Sequence, residues 1–568
     1  RRPDAAPQRP DRRPRATSRA FRPTRRRGGT GRRRGDRAGP SPPAAAPRPA
    51  ASATLDLMSR FYITTAIDYA NGDPHLGHAL EKIGADAIAR YRRLRGDDVH
   101  FLIGMDEHGQ KVAQAAEARG MPPQALTDEL AERFQTMWRR LAISHDQFIR
   151  TTDTAHTDGV QALITRIFER DPSVFSERPY SGWYCVGCET FKREGEIVDG
   201  KCVVHPTRTL EWKDETNWFF HLTRFAPFLK RLYAERPDFL QPESRRNEML
   251  ALLDQGLEDV SITRSRLEWS IPFPKVSASG ERQGTWVWFD ALPNYLTATG
   301  FPRAGWEARW PAQLHVIGKD ITRHHCIVWP AMLEAAGLPL PERVWAHGFI
   351  ALGGERFSKS AGVKLELGEA LERFGADAFR YFLLREVPFD ADGNFSWERF
   401  EDRYTAELAD AFGNLASRVL AMLDRYRGGV VPGATEATPL DRAGAEALGR
   451  YAEAMDGFLL HRGAAAAWDL VNEANGYVER QAPWAQAKAG DALALDSTLG
   501  ALARSLLRLA VLVSPFIPGA ADTLWAALGQ GDSLPPRGTW ERAERPDLAG
   551  GTTHRIPPLF PKPGRPSA

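Results

Sequence analysis

The sequence is poor in cysteine and in long apolar runs, and each shortage excludes a class of protein. Four of its 568 residues are cysteine, too few for a disulfide-built scaffold, which favours a reducing compartment such as the cytoplasm. The most apolar late stretch, residues 509–521, has 13 uncharged residues broken by two prolines, so it cannot cross a bilayer. The chain also contains no GxxxxGK[ST] motif, which excludes a P-loop nucleotide site.

Residues 1–57 form a segment unlike the rest of the chain. The first 50 residues hold 16 arginines, no lysine and 10 prolines against 3 aspartates, a net charge of +13, whereas the whole chain carries +3 and residues 51–568 therefore −10. With almost no large apolar side chains, this segment is expected to be disordered. Because the first methionine is Met58, we interpret the segment as lying outside the translated protein. A transit peptide and a nucleic-acid-binding arm are the alternatives.

The residues after Met58 predict a β-α-β unit. Residues 61–65 (FYITT) and 99–104 (VHFLIG) are strand-like, and between them apolar residues recur every three to four positions, as in an amphipathic helix. Asp73 is expected to cap this helix, with Pro74 in its first position. A strand-helix-strand unit implies a parallel sheet, which is how nucleotide-binding α/β folds begin.

Two histidines fall in the first turn of that helix, in the sequence His75-Leu76-Gly77-His78. Residues three apart share a helix face, and a helix N-terminus attracts anions. Both imidazoles are therefore candidates to bind the α-phosphate of ATP and stabilise its transition state, while Gly77 leaves room for adenine. Helix capping or a surface role is the plainer alternative.

A second candidate phosphate site is the loop Arg356-Phe357-Ser358-Lys359-Ser360, which follows a strand-like run. A flexible loop with a lysine between two hydroxyl groups is suited to close on the β- and γ-phosphates of ATP. Taken by itself, the segment is equally a solvated basic turn.

Three of the four cysteines and one histidine have the spacing of a metal site. Cys185-x2-Cys188 and Cys202-x2-His205, separated by 13 residues, supply three thiolates and one imidazole, the donor set of tetrahedral zinc. Full protein coordination leaves no open position for water, so one structural Zn²⁺ is predicted. Cys326 is isolated and is expected to pack as a small apolar residue.

The order of HLGH and RFSKS resembles the HIGH and KMSKS signatures of class I aminoacyl-tRNA synthetases. Further segments resemble the methionyl-tRNA synthetases: AIDYANGDPHLGH, GMDEHGQK, WYCVGCE, VWFDALPNY, VIGKDITRHHCIVWPAML, FGADAFRYFLLRE, GNLASR and QAPW. The resemblance implies an α/β fold with a Rossmann-like catalytic domain, split by a zinc-knuckle insertion and followed by an all-α anticodon-binding bundle. The helical periodicity after residue 400 agrees with such a bundle.

The resemblance also implies a reaction and its partners. The family activates L-methionine with ATP and Mg²⁺ to methionyl-adenylate and pyrophosphate, then transfers methionyl to the terminal adenosine of tRNA(Met). The chain is expected to be a cytoplasmic monomer without membrane contact.

By similarity, individual residues receive roles. Asp106 would bind the α-ammonium group of methionine, since a carboxylate both accepts N–H donors and neutralises their charge; a helix N-cap is the alternative. The other methionine-binding residues would be Ile67, Tyr69, Arg264, Trp288, Ala291, Leu292, Tyr295, Ile321, His325 and Trp329. ATP would contact His75, Gly77, His78, Lys319, Asp320, Arg356, Ser358, Lys359 and Ser360, of which His75, His78 and Lys359 would be catalytic. Asn414, Arg418 and Trp484 would bind the anticodon, with bundle core as the alternative for Trp484.

The expected domains follow this order. They are the Arg/Pro-rich segment (1–57), the first catalytic half (58–172), the zinc-knuckle insertion (173–245), the second catalytic half (246–345), the KMSKS-like and stem-contact region (346–400), the anticodon-binding bundle (401–545) and a tail (546–568).

The sequence departs from the family at its second signature. Arg356 and Phe357 replace Lys and Met, and the forked guanidinium of arginine differs from the point charge of lysine, so loop closure is expected to change while Lys359 keeps its role. The rival functions are a class I synthetase for Leu, Ile, Val or Cys, a tRNA-free adenylyltransferase and a non-catalytic RNA-binding paralogue. The large aliphatic-specific synthetases need an editing domain for which this chain has no room.

Overall fold

A computed structural model describes residues 59–192, 194–265, 267–352, 355–356, 367–433 and 436–562. The predicted disordered segment lies outside the described residues, as do Ser358, Lys359 and Ser360. Of Arg356 the structure describes the backbone.

The described residues alternate strands and helices up to residue 395 and are helical thereafter, as the sequence predicts. The strands are β1 (Arg60–Thr65), β2 (Asp68–Tyr69), β3 (Asp98–Asp106), β4 (Gln147–Arg150), β5 (Phe175–Cys185), β6 (Thr190–Phe191), β7 (Ile197–Val198), β8 (Lys201–Cys202), β9 (Glu211–Phe220), β10 (Leu240–Gln241), β11 (Val260–Ser261), β12 (Thr263–Arg264), β13 (Gly284–Thr285), β14 (Leu314–Gly318), β15 (Val344–His347), β16 (Ile350–Leu352), β17 (Glu355–Arg356) and β18 (Gly393–Phe395).

The α-helices fall into two groups along the chain. Those that accompany the sheets are α1 (Leu76–Leu94), α2 (Gln110–Ala118), α3 (Pro123–Arg140), α4 (Thr154–Arg170), α5 (Ala226–Glu235), α6 (Glu243–Gln255), α7 (Val287–Ala291), α8 (Asn294–Thr297), α9 (Trp329–Ala336) and α10 (Leu367–Glu386). Those of the C-terminal bundle are α11 (Trp397–Arg403), α12 (Asn414–Arg427), α13 (Pro439–Asp456), α14 (Leu460–Gln481), α15 (Pro483–Ala489), α16 (Ala492–Val513), α17 (Pro518–Ala527) and α18 (Trp540–Glu544). None of the helices in the described ranges is long and apolar enough to span a bilayer.

The main sheet is parallel and has the order β10-β15-β14-β1-β3-β2, with β4 also paired to β3. Its central strand β1 pairs with β3 on one side and with β14 on the other, so the chain reverses its direction of winding there. Open α/β sheets bind ligands at such a switch point, beyond the carboxyl ends of the strands. The predicted β-α-β unit and the α/β fold class are confirmed.

A separate antiparallel sheet, β11-β9-β5-β6, carries the predicted metal ligand Cys185 at the end of β5 and Cys188 in the turn to β6, while Cys202 lies on the two-stranded sheet β7-β8 and His205 follows it. Strand β10 lies between β9 and β11 along the chain, yet it pairs with β15 in the main sheet. The insertion is therefore closely attached to the catalytic core.

The start of helix α1 differs from the sequence-based expectation. The helix begins at Leu76, and its N-cap is His75, not Asp73. Asp73 instead forms an ion pair with Arg133 at 2.6 Å. The imidazole of His75 takes the capping position because its Nδ1 atom accepts backbone N–H groups of the first turn.

Candidate active site

A cavity of about 1070 Å³ lies beyond the carboxyl ends of β1, β3 and β14. Its walls come from the first turn of α1, from α7, from residues 318–328 and from the metal-bearing insertion. Most of the predicted methionine- and ATP-binding residues line it: Ile67, Tyr69, His75, Gly77, His78, Asp106, Arg264, Trp288, Ala291, Leu292, Tyr295, Asp320, Ile321 and His325. The tertiary structure thus brings together residues that are spread over some 260 positions of sequence.

The two histidines of the HLGH segment form a stacked pair at the helix N-terminus. Their ring centroids lie 3.6 Å apart with an interplanar angle of 16°. The Nδ1 atom of His75 accepts the backbone N–H of Gly77 at 3.2 Å, and that of His78 accepts the backbone N–H of His75 at 3.3 Å. Neutral rings that accept at Nδ1 carry their proton on Nε2. A β-carbon on Gly77 would lie 3.1 Å from the His75 ring, so glycine leaves room for this stacking.

Asp106 ends strand β3 and its carboxylate is buried. Among the described residues, no donor lies within hydrogen-bond distance of its Oδ1 atom. Burial raises the pKa of Asp106 well above its usual range, and the nearby carboxylates of Asp290 and Glu189 add to the shift. A cationic group entering the cavity would satisfy both the unpaired oxygen and the charge. The following helix α2 begins at Gln110 with Gly109 as its N-cap, so the capping alternative for Asp106 is wrong.

Aromatic residues form another part of the cavity wall. The hydroxyl group of Tyr295 lies 2.7 Å from His325 Nε2, and His325 Nδ1 lies 3.1 Å from the Ile321 carbonyl oxygen. These distances fix the proton of His325 on Nδ1, and burial lowers the pKa of His325 to about 4, so the ring is neutral. Trp288 packs on His324 with centroids 3.8 Å apart. The result is a large, neutral and polarizable surface.

Two predicted substrate residues, Trp329 and Lys319, do not line the cavity, and a third, Arg264, lines it but is held by the backbone. Trp329 is fully buried behind Tyr295, in edge-on contact at 6.3 Å, and is not among the residues that line the cavity. Lys319 forms an ion pair with Asp392 at 2.6 Å and is also absent from the lining. The guanidinium of Arg264 is buried and donates from Nη1 to the Thr263 carbonyl at 2.6 Å.

The four predicted metal ligands converge at one end of the small sheet. Their donor atoms all lie within 4.8 Å of one another. The Sγ atoms of Cys188 and Cys202 are 3.6 Å apart, and the Nδ1 atom of His205 is 3.2 Å from Cys188 Sγ and 3.8 Å from Cys185 Sγ. Metal–sulfur bonds of about 2.3 Å in a tetrahedron give edges of about 3.8 Å, so the cluster fits a metal ion of that kind.

Local geometry explains why the cluster forms. Each ligand pair closes a turn, with the Cys188 N–H donating to the Cys185 carbonyl and the His205 N–H donating to the Cys202 carbonyl, both at 3.1 Å. A β-carbon on Gly187 would lie 2.5 Å from the His205 ring, so glycine is required there.

Sequence reasoning missed three carboxylates in the cavity wall, those of Glu189, Asp68 and Glu81. Glu189 follows Cys188 directly, lines the cavity and accepts a hydrogen bond from the Tyr69 hydroxyl group at 2.8 Å. Its place in the turn between metal ligands gave no reason to expect a residue of the cavity. The buried ammonium group of Lys82 lies 2.8 Å from both Asp68 and Glu81, two carboxylates that line the cavity. The charged pair Glu81-Lys82 at the end of the ALEK segment, within the otherwise apolar buried part of α1, was the available signal.

The predicted anticodon-binding residues lie on the surface of the bundle. Trp484 is 45% exposed, so the core alternative for it is wrong. Arg418 forms an ion pair with Glu479 at 2.6 Å, near the end of α14 and five residues before Trp484. Asn414, one turn before Arg418 on α12, is also exposed and donates to Asp410 at 3.4 Å.

Comparison with known families agrees with this geometry. The family model "tRNA synthetases class I (M)" matches residues 61–209 and 193–420, and the model "Anticodon binding domain of methionyl tRNA ligase" matches residues 428–562. The chain belongs to the class I methionyl-tRNA synthetase family. Its activity is that of a methionine–tRNA ligase, which forms methionyl-adenylate from methionine and ATP and then methionyl-tRNA. The rival amino-acid specificities and the tRNA-free adenylyltransferase are thereby excluded.

Individual relatives support the assignment over nearly the whole enzyme. The methionine–tRNA ligase of Streptomyces coelicolor is 40% identical over 529 residues, 88% of this chain and 96% of that protein. The Brucella suis methionine–tRNA ligase is 41% identical over 516 residues, which cover 89% of this chain and 98% of that protein. Among solved structures, Mycobacterium tuberculosis methionyl-tRNA synthetase in complex with methionyl-adenylate matches with a TM-score of 0.83 at 39% identity, covering 89% of this chain and all of that one.

Proposed function

We propose that the enzyme holds methionine with its α-ammonium group at Asp106 and its thioether against Tyr295, His325 and Trp288. The observation that carries this assignment is the buried, unpaired Oδ1 atom of Asp106 at the wall of the cavity. A neutral His325 accepts from Tyr295, which leaves the Tyr295 oxygen as an acceptor and its ring as an apolar contact for sulfur. The remaining pocket residues named by similarity then shape the side-chain site.

For adenylate formation, we propose that His75 and His78 donate from Nε2 to the α-phosphate. Both rings line the cavity, and their Nδ1 atoms are occupied by backbone donors. Charge that grows on the phosphate oxygens in the transition state would strengthen these bonds, which is what accelerates the step. Arg356, Ser358, Lys359 and Ser360 are proposed, on their motif alone, to bind the leaving pyrophosphate with Mg²⁺.

We propose that Cys185, Cys188, Cys202 and His205 bind one structural Zn²⁺. Three thiolates and one imidazole fill a tetrahedral shell, and when bound the ion would hold the insertion folded. Elemental analysis of the purified enzyme is expected to find one zinc per chain, and Cys202→Ser to remove it. Copurification with another metal, or with none at full activity, would contradict this assignment.

We further propose that the bundle surface around Asn414, Arg418 and Trp484 binds the anticodon of tRNA(Met), and that the enzyme acts as a monomer in the cytoplasm. An exposed tryptophan and an exposed arginine on the same bundle suit the stacking of unpaired bases. Sedimentation with and without tRNA checks the monomer, since a dimer would double the mass of the free enzyme.

The proposed substrate site is tested by amino-acid-dependent ATP–pyrophosphate exchange. Methionine should support exchange, and leucine, isoleucine, valine and cysteine should not. A methionine analogue without the α-amino group should compete about 100-fold more weakly than methionine, because Asp106 would be left buried without its counter-charge. Equal competition by the two compounds would remove Asp106 from the site.

A further inference from the structure

We propose that Glu189 is a positioning residue that ties the metal knuckle, residues 185–205, to the methionine site through the hydroxyl group of Tyr69. Glu189 directly follows the metal ligand Cys188, in a turn that would ordinarily face solvent, yet it is 4% exposed and lines the cavity. The proposal rests on the assignment of Tyr69 to the methionine site.

The carboxylate of Glu189 collects donors from two catalytic elements. The Tyr69 hydroxyl group donates to Oε1 at 2.8 Å, and the backbone N–H of Lys111 approaches the same atom at 3.5 Å. The ammonium group of Lys111 lies 3.6 Å from Oε2 and 4.7 Å from the centre of the Tyr69 ring. Tyr69 and Lys111 are thus held against each other by a residue that belongs to the insertion.

The backbone of Glu189 makes a second attachment on the opposite wall. Trp286 is buried and donates from its indole Nε1 to the Glu189 carbonyl oxygen at 2.7 Å. Trp286 is the N-cap residue of α7, the helix that carries Trp288 and Ala291. Glu189 itself has φ +52°, a left-handed conformation that costs a non-glycine residue free energy and that these contacts offset.

The catalytic core is shaped to receive this side chain. Gly109, between Asp106 and Lys111, has φ +109°, and a β-carbon there would lie 2.5 Å from Glu189 Oε1 and 2.6 Å from the Tyr69 oxygen. The space that glycine leaves is therefore filled by the Glu189–Tyr69 hydrogen bond. Loss of the carboxylate should release Lys111 and leave the Tyr69 hydroxyl group with the more distant His108 carbonyl oxygen, at 3.1 Å, as its acceptor, while the metal ligands and the HLGH turn stay in place.

The test compares Glu189→Ala with wild-type holoenzyme in ATP–pyrophosphate exchange. The KM for methionine should rise about tenfold, as expected for loss of hydrogen bonds to a charged group, while the KM for ATP stays within about twofold and the zinc content is unchanged. Glu189→Gln keeps an acceptor for Tyr69 but loses the charge facing Lys111. Its KM for methionine should lie between those of wild type and Glu189→Ala. Glu194→Ala is the matched control, because Glu194 lies in the same knuckle but is exposed. An unchanged methionine KM in Glu189→Ala, or a parallel rise in both KM values with lost zinc, would overturn the proposal.

A double-mutant cycle tests the link between Glu189 and Tyr69 directly. Tyr69→Phe removes the hydroxyl group from the other end, so the Tyr69→Phe/Glu189→Ala double variant should bind methionine no more weakly than Glu189→Ala, as measured by calorimetry. Full additivity would show that the two residues act independently and refute the link. If wild-type enzyme gave no methionine-dependent exchange at all, the proposed function would fail instead.

Discussion

The imidazole of His75 stacks on that of His78 at 3.6 Å, and His78 Nδ1 accepts the backbone N–H of His75 at 3.3 Å. This reciprocal arrangement directs the Nε2–H group of each neutral ring away from the helix backbone. His78→Ala should therefore lower kcat for pyrophosphate exchange about 100-fold, because one donor to the transition state is lost, with little change in the methionine KM. His554→Ala, at an exposed histidine outside the cavity, is the control and should have wild-type kinetics.

Methionine binding should depend on pH through Asp106. Its pKa is raised by burial and by the nearby Asp290 and Glu189, so in the free enzyme the carboxyl group is partly protonated at a higher pH than usual. Binding of an ammonium group requires the carboxylate, so affinity should fall as pH is lowered through the raised pKa, and binding should release protons. Calorimetry in two buffers of different ionisation enthalpy measures that release. In Asp106→Asn, affinity should be about 100-fold lower and the proton release absent; a persisting release would assign it to another group.

Trp484→Ala should separate tRNA charging from amino-acid activation. Stacking of one base on an aromatic ring contributes about 1–3 kcal/mol, so kcat/KM for tRNA(Met) should fall about tenfold or more, while pyrophosphate exchange stays normal. Leu493→Ala is the matched control, since Leu493 is 81% exposed on the same bundle and is uncharged. Equal losses in both assays would instead indicate that Trp484 supports the fold.

The buried ion pair between Arg380 and Asp86 joins helices α10 and α1 and should contribute strongly to the stability of the fold. Their atoms lie 2.7 Å apart with both side chains fully buried, and Arg380 also donates to the Pro515 carbonyl before α17 at 2.8 Å. Arg380→Met should lower the free energy of unfolding by about 1–3 kcal/mol, because the buried Pro515 carbonyl loses its donor and Asp86 loses one of two guanidinium partners, while Arg90 at 2.8 Å still pairs with it. Urea unfolding measures this, with the exposed Arg373→Met as control.

The stabilisation that the Arg380–Asp86 ion pair provides should depend on pH. Burial opposes ionisation of Asp86, but Arg90, Arg380 and Ser144 outweigh it and hold its pKa below the usual range. A depressed carboxyl pKa contributes stability above the unfolded-state pKa that is lost as pH falls through the folded-state pKa. The stability difference between wild type and Arg380→Met should therefore be constant above the Asp86 pKa of the variant, which lies above that of wild type because one cation is missing, and should shrink as pH falls from there towards the wild-type pKa. A difference that does not shrink in acid would point to another group.

Short-range patterns were sufficient for much of the site. The Cys185–His205 spacing predicted a cluster that the structure confirms, because two turns of four residues and one loop already limit where the ligands can lie. Strand β1, helix α1 and strand β3 were likewise recognisable from apolar periodicity. The start of α1 was predicted two residues early. Aspartate is strongly preferred at helix N-caps and histidine is not, so the sequence favoured Asp73 over His75.

The sequence by itself determined the family, the α/β-then-helical order and the ligands of the knuckle, because each depends on residues close together in the chain or on motifs with a fixed order. Only the tertiary structure decided that Glu189 enters the cavity beside Tyr69, that Lys319 pairs with Asp392 and that Arg380 pairs with Asp86. These pairs are separated by 73 to 294 positions, and their contact depends on how sheets and helices pack. Charges are driven to such partners because burial without one is costly, a requirement that sequence spacing does not reveal.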